Sequence, residues 1–133
     1  YSEKVAVAFT FDDALAHQII AGADFLLMPS HYEPGGLTQL YGFRYGTIPI
    51  VRAVGGLKDT VEEFDARTGR GNGFLFIPYT ASAFLNAVDR ALDLFRQKEL
   101  RAKLVMNAMT ADFSWARSAR AYLNLYRKIL GKR

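Results

Sequence analysis

Residues 30–46, SHYEPGGLTQLYGFRYG, set a single carboxylate, Glu33, ahead of a proline and two glycines. The residues after the glycines read as a short helix. A Ser or Asp cap would be enough to start one, so an acid and a Gly-Gly turn ask for another explanation. Gly35 and Gly36 let the backbone approach a bound molecule closely and take dihedrals closed to other residues. The free N–H groups that open the helix, with the positive end of its dipole, suit a phosphate. Glu33 beside such an anion site is not there for the phosphate. Its carboxylate can accept hydrogen bonds from a neutral polyol or stabilise positive charge that develops nearby. A ligand joining a diphosphate to a sugar meets both demands, which points to a nucleotide-sugar. Glycine loops before helices are common, so spacing alone also allows a structural turn with an exposed Glu.

The elements around the motif decide where it stands. VAVAF (5–9) reads as a buried strand, and Asp12 and Asp13 open a helix through Gly22 with Leu15, Ile19 and Ile20 on one stripe. FLLMP (25–29) is a second buried strand ended by Pro29. The motif's helix runs from Leu37 to Tyr45 and closes on Gly46, and TIPIV (47–51) is a third strand. Gly55-Gly56 reads as a loop leading into LKDTVEE, and FDARTGRGN (64–72) as a polar surface excursion that moves. GFLFI (73–77) is a fourth strand, and from there the pattern is helix only. Phe84, Ala87, Val88, Ala91, Leu92 and Phe95 keep helical spacing; Leu100, Leu104 and Met106 to Met109 make a second helix; Tyr122, Leu125, Tyr126 and Ile129 mark a last one beyond DFSW (112–115). Strands alternating with helices predict an α/β fold, a parallel sheet with helices on both faces. Ligands in such sheets bind beyond the carboxyl ends of the strands, which is where residues 30–36 fall.

Composition narrows the classes. The 133 residues suit one domain with a real core, half of them apolar and 23% charged. With no cysteine there is no disulfide or thiolate metal site, and two histidines are too few for a histidine-based one without carboxylates. No apolar run approaches the roughly 20 residues that span a bilayer, and no membrane partner is expected. YSEKVAVAF lacks the layout of a signal peptide and begins as if cut from a longer chain. The net charge of +4 is asymmetric: residues 1–95 carry 7 Lys/Arg against 11 Asp/Glu, residues 96–133 carry 10 against 2. A basic tail on an acidic body could meet nucleic acid or an anionic surface, and the plainer reading is a pair of solvated helical faces.

The run ADFLLMPSHYEPGGLTQLYGFRYGTIPIVRAVGGLKDTV resembles the C-terminal domain of bacterial glycogen synthases and plant starch synthases. The likeness extends through TFDDALAHQIIAGAD upstream and through GNGFLF and MTADFSWARSARAYLNLYR downstream, so it covers nearly the whole chain. It implies a GT-B glycosyltransferase, two Rossmann-like domains with the active site in the cleft between them. Residues 1–133 would be part of the nucleotide-sugar-binding C-terminal domain. The parent enzyme would transfer glucose with retention from ADP-glucose or UDP-glucose to the non-reducing end of an α-1,4-glucan. It would need no metal or other cofactor and would be cytoplasmic, or plastidial in a plant.

Carried over, Glu33 matches the carboxylate beside the anomeric centre. Gly35, Gly36, Leu37 and Thr38 match the loop and helix start whose N–H groups hold the glucose hydroxyls and the diphosphate. Phe11 stands where relatives carry a Tyr that stacks on the base, and stacking needs only an aromatic face. Relatives often have Cys at position 35, and the second Glu of many related enzymes is Tyr41 here. Arg52, at the ligand edge of the third strand, is placed for a phosphate or sugar contact. His17 aligns with a family histidine and reads as packed or capping, while His31 reads as exposed. Asp59 and Thr60 would cap and orient the short helix after Gly55-Gly56. Trp115, Tyr122 and Tyr126 read as core or interdomain packing. The family's Arg/Lys pair for the donor phosphates and its glucan-binding acceptor domain lie upstream of residue 1. This stretch alone is therefore expected to bind nucleotide weakly, around millimolar, and not to transfer. Two other readings stay open: another retaining GT-B enzyme with a different donor or acceptor, and a non-catalytic module for glucan or, through the basic tail, nucleic acid.

Overall fold

A computed structural model describes residues 3–131. The elements in chain order are α1 (Asp13–Gly22), β1 (Phe25–Met28), α2 (Thr38–Tyr45), β2 (Ile48–Arg52), α3 (Gly55–Thr60), β3 (Phe74–Phe76), α4 (Ala81–Phe95), α5 (Lys98–Thr110) and α6 (Trp115–Ile129). β1 and β3 pair with β2 on either side, both in parallel, with Leu27 opposite Ile50 and Ile50 opposite Phe74. Ile48 through Val51 are all buried, as a strand covered on both faces must be. This is the expected α/β fold, a parallel sheet with flanking helices.

Local chemistry sets the helix ends. Asp12, Thr80 and Ser114 cap α1, α4 and α6, their side-chain oxygens accepting from the N–H groups of Leu15, Ala83 and Arg117. α2 ends on Gly46, whose φ of 81° is the left-handed stop that glycine takes without strain. Alanines at 87 and 91 are fully buried and bring α4 close to β2 and β3. Its buried stripe is Ala87, Ala91 and Leu94; Leu92, counted from spacing, faces solvent. Phe43, Ile50, Val51, Leu57, Phe74 and Leu104 fill the centre of the core.

Three expectations change. Residues 5–9 form no strand: Val5, Val7 and Phe9 are exposed, and among the described residues β1 is an edge of the sheet. An apolar, β-branched run favours a strand only where a neighbour supplies a ladder and a cover, and among the described residues this one has neither. Residues 64–72 are tied down rather than loose. Asp65 N bonds Arg70 O at 2.8 Å, Asn107 Nδ2 donates to the carbonyls of Gly69 and Gly71, and Phe64 is buried. The Arg67 N–H and Thr68 hydroxyl around the Asp65 carboxylate hold its pKa below the ordinary value. Finally, α6 buries no residue, and Trp115, Tyr122 and Tyr126 are not core in this chain. Its start is fixed by Asp112, which accepts from Ser114 N at 2.9 Å and whose pKa is lowered by the Ser114 hydroxyl and N–H. Among the described residues, no helix is long and apolar enough to cross a membrane.

β3 is an edge strand with one flank closed by an ion pair. Glu63 accepts from Leu75 N–H, Arg90 Nη2 donates to Leu75 O at 2.8 Å, and Arg90 Nε meets Glu63 Oε1 at 3.2 Å. Both outward backbone groups of the edge are thus satisfied by side chains, which denies them to another strand. Arg90→Met keeps an unbranched stem but removes the guanidinium, and should lower stability by about 1 kcal/mol. Urea unfolding measures this, and an unchanged midpoint would show that the edge does not depend on it.

Candidate functional site

The chain leaves β1, β2 and β3 at one end of the sheet, and the loop of residues 29–37 crosses there into α2. Its shape is set by a second glycine pair. Gly55-Gly56, expected as a loop, is the first turn of α3. A Cβ on Gly55 would overlap the carbonyl of Glu33, and one on Gly56 would overlap the carbonyl and Cα of Gly35. Gly56 N–H donates to Glu33 O at 3.2 Å. The two glycine pairs therefore lie backbone to backbone, a contact no other residue type permits.

Gln39, the second residue of α2, is fully buried. The two hydrogens of its Nε2 are shared among Gly36 O at 3.0 Å, Gly35 O at 3.2 Å and Thr60 Oγ1 at 3.2 Å. The Thr60 hydroxyl in turn donates to Gly56 O at 2.7 Å. Thr60 thus orients the loop from the far end of α3 and does not cap its start. Gln39 Oε1 is buried without a hydrogen-bond partner among the described residues. Gly36, at φ 79°, leaves no room for a Cβ against this amide. Across residues 35–40 no backbone N–H finds a hydrogen-bond partner among the described residues, and α2 has no side-chain cap. The loop's carbonyls are held and its donors are free, which is the arrangement an anion needs.

Glu33 is half-buried, and its carboxylate makes no hydrogen bond or ion pair among the described residues. Leu37 and Thr38 are exposed at the helix start. Arg52 ends β2 as expected, but its guanidinium is partly engaged: Nη1 donates to His31 O at 2.7 Å and Nε to Ile77 O at 3.2 Å. It also lies 5.1 Å from the Tyr79 ring, which meets the His31 ring edge-on. Arg52 therefore ties the loops after β1 and β3 to the end of β2, and Nη2 remains without a partner among the described residues. His31 is exposed, with its carbonyl rather than its ring used by Arg52.

Phe11 projects fully into solvent just before the α1 cap. The helix that follows it is placed by its contacts with α2 and with Thr47 just beyond it. His17 Nδ1 is 3.0 Å from the Tyr45 hydroxyl and its ring 4.6 Å from that of Tyr41, while Thr47 Oγ1 donates to Ile20 O and Ala23 O. Contacts at 17 with 41 and 45, then at 20 and 23 with 47, mean that the two helices run side by side in the same sense. The start of α1 thus lies at the same end of the pair as the start of α2, while Phe11 itself stays fully exposed and makes no side-chain contact with residues 35–38 among the described residues. His17 is packed, as expected. A cleft of about 690 Å³ lies on the other flank of α2, between Leu40, Tyr41, Phe43, Met109 and Phe113, and touches the loop only through Leu37. It is apolar and apart from Glu33, so the face around Glu33 is the better candidate.

Gln39 and the Gly55-Gly56 pair are the site residues that sequence reasoning passed over. The available signal was a polar side chain in the first turn of a helix that lacks a cap. Gly56→Ala should cost about 1–3 kcal/mol, since overpacking here has only backbone to displace. Gly35→Ala, where an added Cβ meets nothing within 4 Å, should stay within about 0.5 kcal/mol of wild type, as surface changes usually do. Chemical denaturation of both checks the contact; equal effects would contradict it.

Residues 1–110 match the glycosyl transferases group 1 family. The chain is 51% identical over 128 residues to a glycogen synthase of Koribacter versatilis, covering 96% of the chain and 26% of that protein. It is 55% identical over 130 residues to one of Desulforudis audaxviator, covering 97% and 26%. Among solved structures, the catalytic domain of starch synthase IV from Arabidopsis thaliana, bound to ADP and acarbose, superposes with a TM-score of 0.79 at 38% identity, over 92% of this chain and 26% of that one. Sucrose-phosphate synthase from Thermosynechococcus elongatus does so at 0.68 and 29%, over 97% and 31%. The chain spans about a quarter of the length of these glycogen synthases. A parallel sheet, a family match over most of its length and relatives that are glycosyltransferases agree: the chain belongs to the glycosyl transferases group 1 family.

Proposed function

We propose that residues 1–133 form the donor-binding part of the C-terminal domain of a glycogen or starch synthase. The parent enzyme transfers glucose from ADP-glucose or UDP-glucose to the non-reducing end of an α-1,4-glucan with retention. The observation that carries this is the unpartnered run of N–H groups at 35–40 with the free carboxylate of Glu33 beside it. The solved starch synthase, 38% identical, was bound to ADP and acarbose, a nucleoside diphosphate and a sugar.

The chemistry is electrostatic. The N–H groups of Gly35, Gly36, Leu37 and Thr38, at the positive end of α2, take the leaving diphosphate as its charge grows. Donors fixed in advance do this without reorganising. Glu33 stabilises the oxocarbenium-like centre on the opposite side of the breaking bond. Phe11 stacks on the base, and Arg52 Nη2 is the one guanidinium nitrogen left for a phosphate or sugar oxygen. A closing partner domain supplies the glucan and excludes water.

In the full-length enzyme, Glu33→Ala should lower turnover by about 10²-fold or more, the scale of a preorganised electrostatic group. Donor affinity should fall far less, because the N–H contacts remain. Turnover within a few-fold of wild type would sink the assignment. Phe11→Ala should weaken ADP binding by about 1–3 kcal/mol, the scale of base–aromatic stacking. Because Phe11 packs against nothing here, its thermal midpoint should not move. Calorimetry with ADP separates the two; an unchanged dissociation constant would remove Phe11 from the site.

A further inference from the structure

We infer that Gln39 is a positioning residue that sets the two glycine peptides of the anion loop, an inference that rests on the donor-binding reading above. In a trans peptide the C=O and the next residue's N–H point in opposite directions. Gln39 Nε2 captures Gly35 O and Gly36 O, at 3.2 and 3.0 Å. The N–H groups of Gly36 and Leu37 are therefore turned away from Gln39, outward from the core. Rotation of either peptide would hide a donor and present a carbonyl, which repels a phosphate.

The amide cannot sit the other way round. Two carbonyls facing it demand a donor, so the nitrogen must stand where it does. The consequence is that Oε1 stays buried with no partner among the described residues. A Met or Leu would fill the same volume without an unmet acceptor, so packing alone does not explain a Gln here. Nε2 also donates to Thr60 Oγ1, whose hydroxyl holds Gly56 O. One side chain thus locks both glycine pairs to each other. Gly36 adds the reciprocal constraint, since only a residue without Cβ fits over the amide.

The test uses the labelled 133-residue chain titrated with ADP and followed through its amide resonances. Wild type should show its main shifts at Gly36 and Leu37; no shift there would overturn the donor-binding reading itself. Gln39→Met should weaken ADP binding by about tenfold or more, roughly one lost charge-assisted contact in equilibrium terms. Before any ADP is added, its spectral changes should be confined to residues 35–37 and 56–60. Gln39→Glu serves if the Met variant fails to fold. Its carboxyl can donate to a carbonyl only when protonated, and burial between carbonyls raises its pKa. Its affinity relative to wild type should therefore rise by about fivefold or more between about pH 8.5 and pH 5.5. A merely space-filling side chain would give no such pH profile. Gln39→Met binding ADP within twofold of wild type, or a flat ratio for Gln39→Glu, would overturn the role of Gln39 while leaving the donor site standing. If wild type fails to bind, the ligand-free spectra still decide whether Gln39 sets the loop.

Discussion

The backbone of Glu33–Gly36 lies directly on the backbone of Gly55–Gly56, and the rest of this end of the sheet is arranged around that contact. It forces α3 to begin only two residues beyond β2, with no side chain to separate it from the β1 loop. Once there, α3 presents Thr60 to Gln39 on α2, so that three elements meet through one amide and one hydroxyl. Arg52 draws in the carbonyls of His31 and Ile77 from the loops on either side. Each of these side chains satisfies acceptors. None of them satisfies the donors.

That imbalance has a thermodynamic meaning. Helix starts ordinarily meet their free N–H groups with a cap, as α1, α4 and α6 do, whereas α2, α3 and α5 have no side-chain cap. α2 forgoes one. The stabilisation that a cap would give, about 1 kcal/mol, is absent. It is offset by the burial of Phe43 on α2 and of Thr47 just beyond it. Donors left open and already oriented can act on a growing negative charge at once, whereas a flexible loop would lose entropy on binding.

Much of this was legible beforehand, because residues 25–52 combine strong local signals: Pro29 after an apolar run, paired glycines, and Gly46 at a helix end. The parallel sheet and the location of Glu33, Gly35 and Gly36 could be inferred from them. The failures have one cause, which is that their outcome depends on a neighbour. Residues 5–9 have strand composition and no strand beside them. Trp115, Tyr122 and Tyr126 keep helical spacing on a helix that buries nothing, which overturns the core reading and does not touch the interdomain one. Gly55-Gly56 looks like any loop until the carbonyls of Glu33 and Gly35 are brought against it. Gln39 looks like an ordinary polar helix residue until the two carbonyls below it are seen. Residues 64–72 are polar enough for a free loop, but Asn107, 36 residues on from Gly71, supplies the hydrogen bonds that hold them.

The α1–α2 contact carries a further constraint. A nucleotide keeps its base and diphosphate a fixed ribose apart, while Phe11 and the anion loop stand at the starts of different helices. Their separation is thus set by how α1 lies along α2. At the far end Thr47 holds α1 by two backbone carbonyls, and in the middle His17 sits between Tyr41 and Tyr45. Ile20 is the only α1 side chain that is buried. The helix is held as a lever, fixed at its C-terminal end and steadied halfway, with Phe11 at the free tip. Phe11 is joined to the rest of the domain through α1 alone, whereas the loop is held directly through its carbonyls. On the proposed donor-binding reading, the diphosphate would meet the clamped end of this pair and the base the end that hangs from α1 alone.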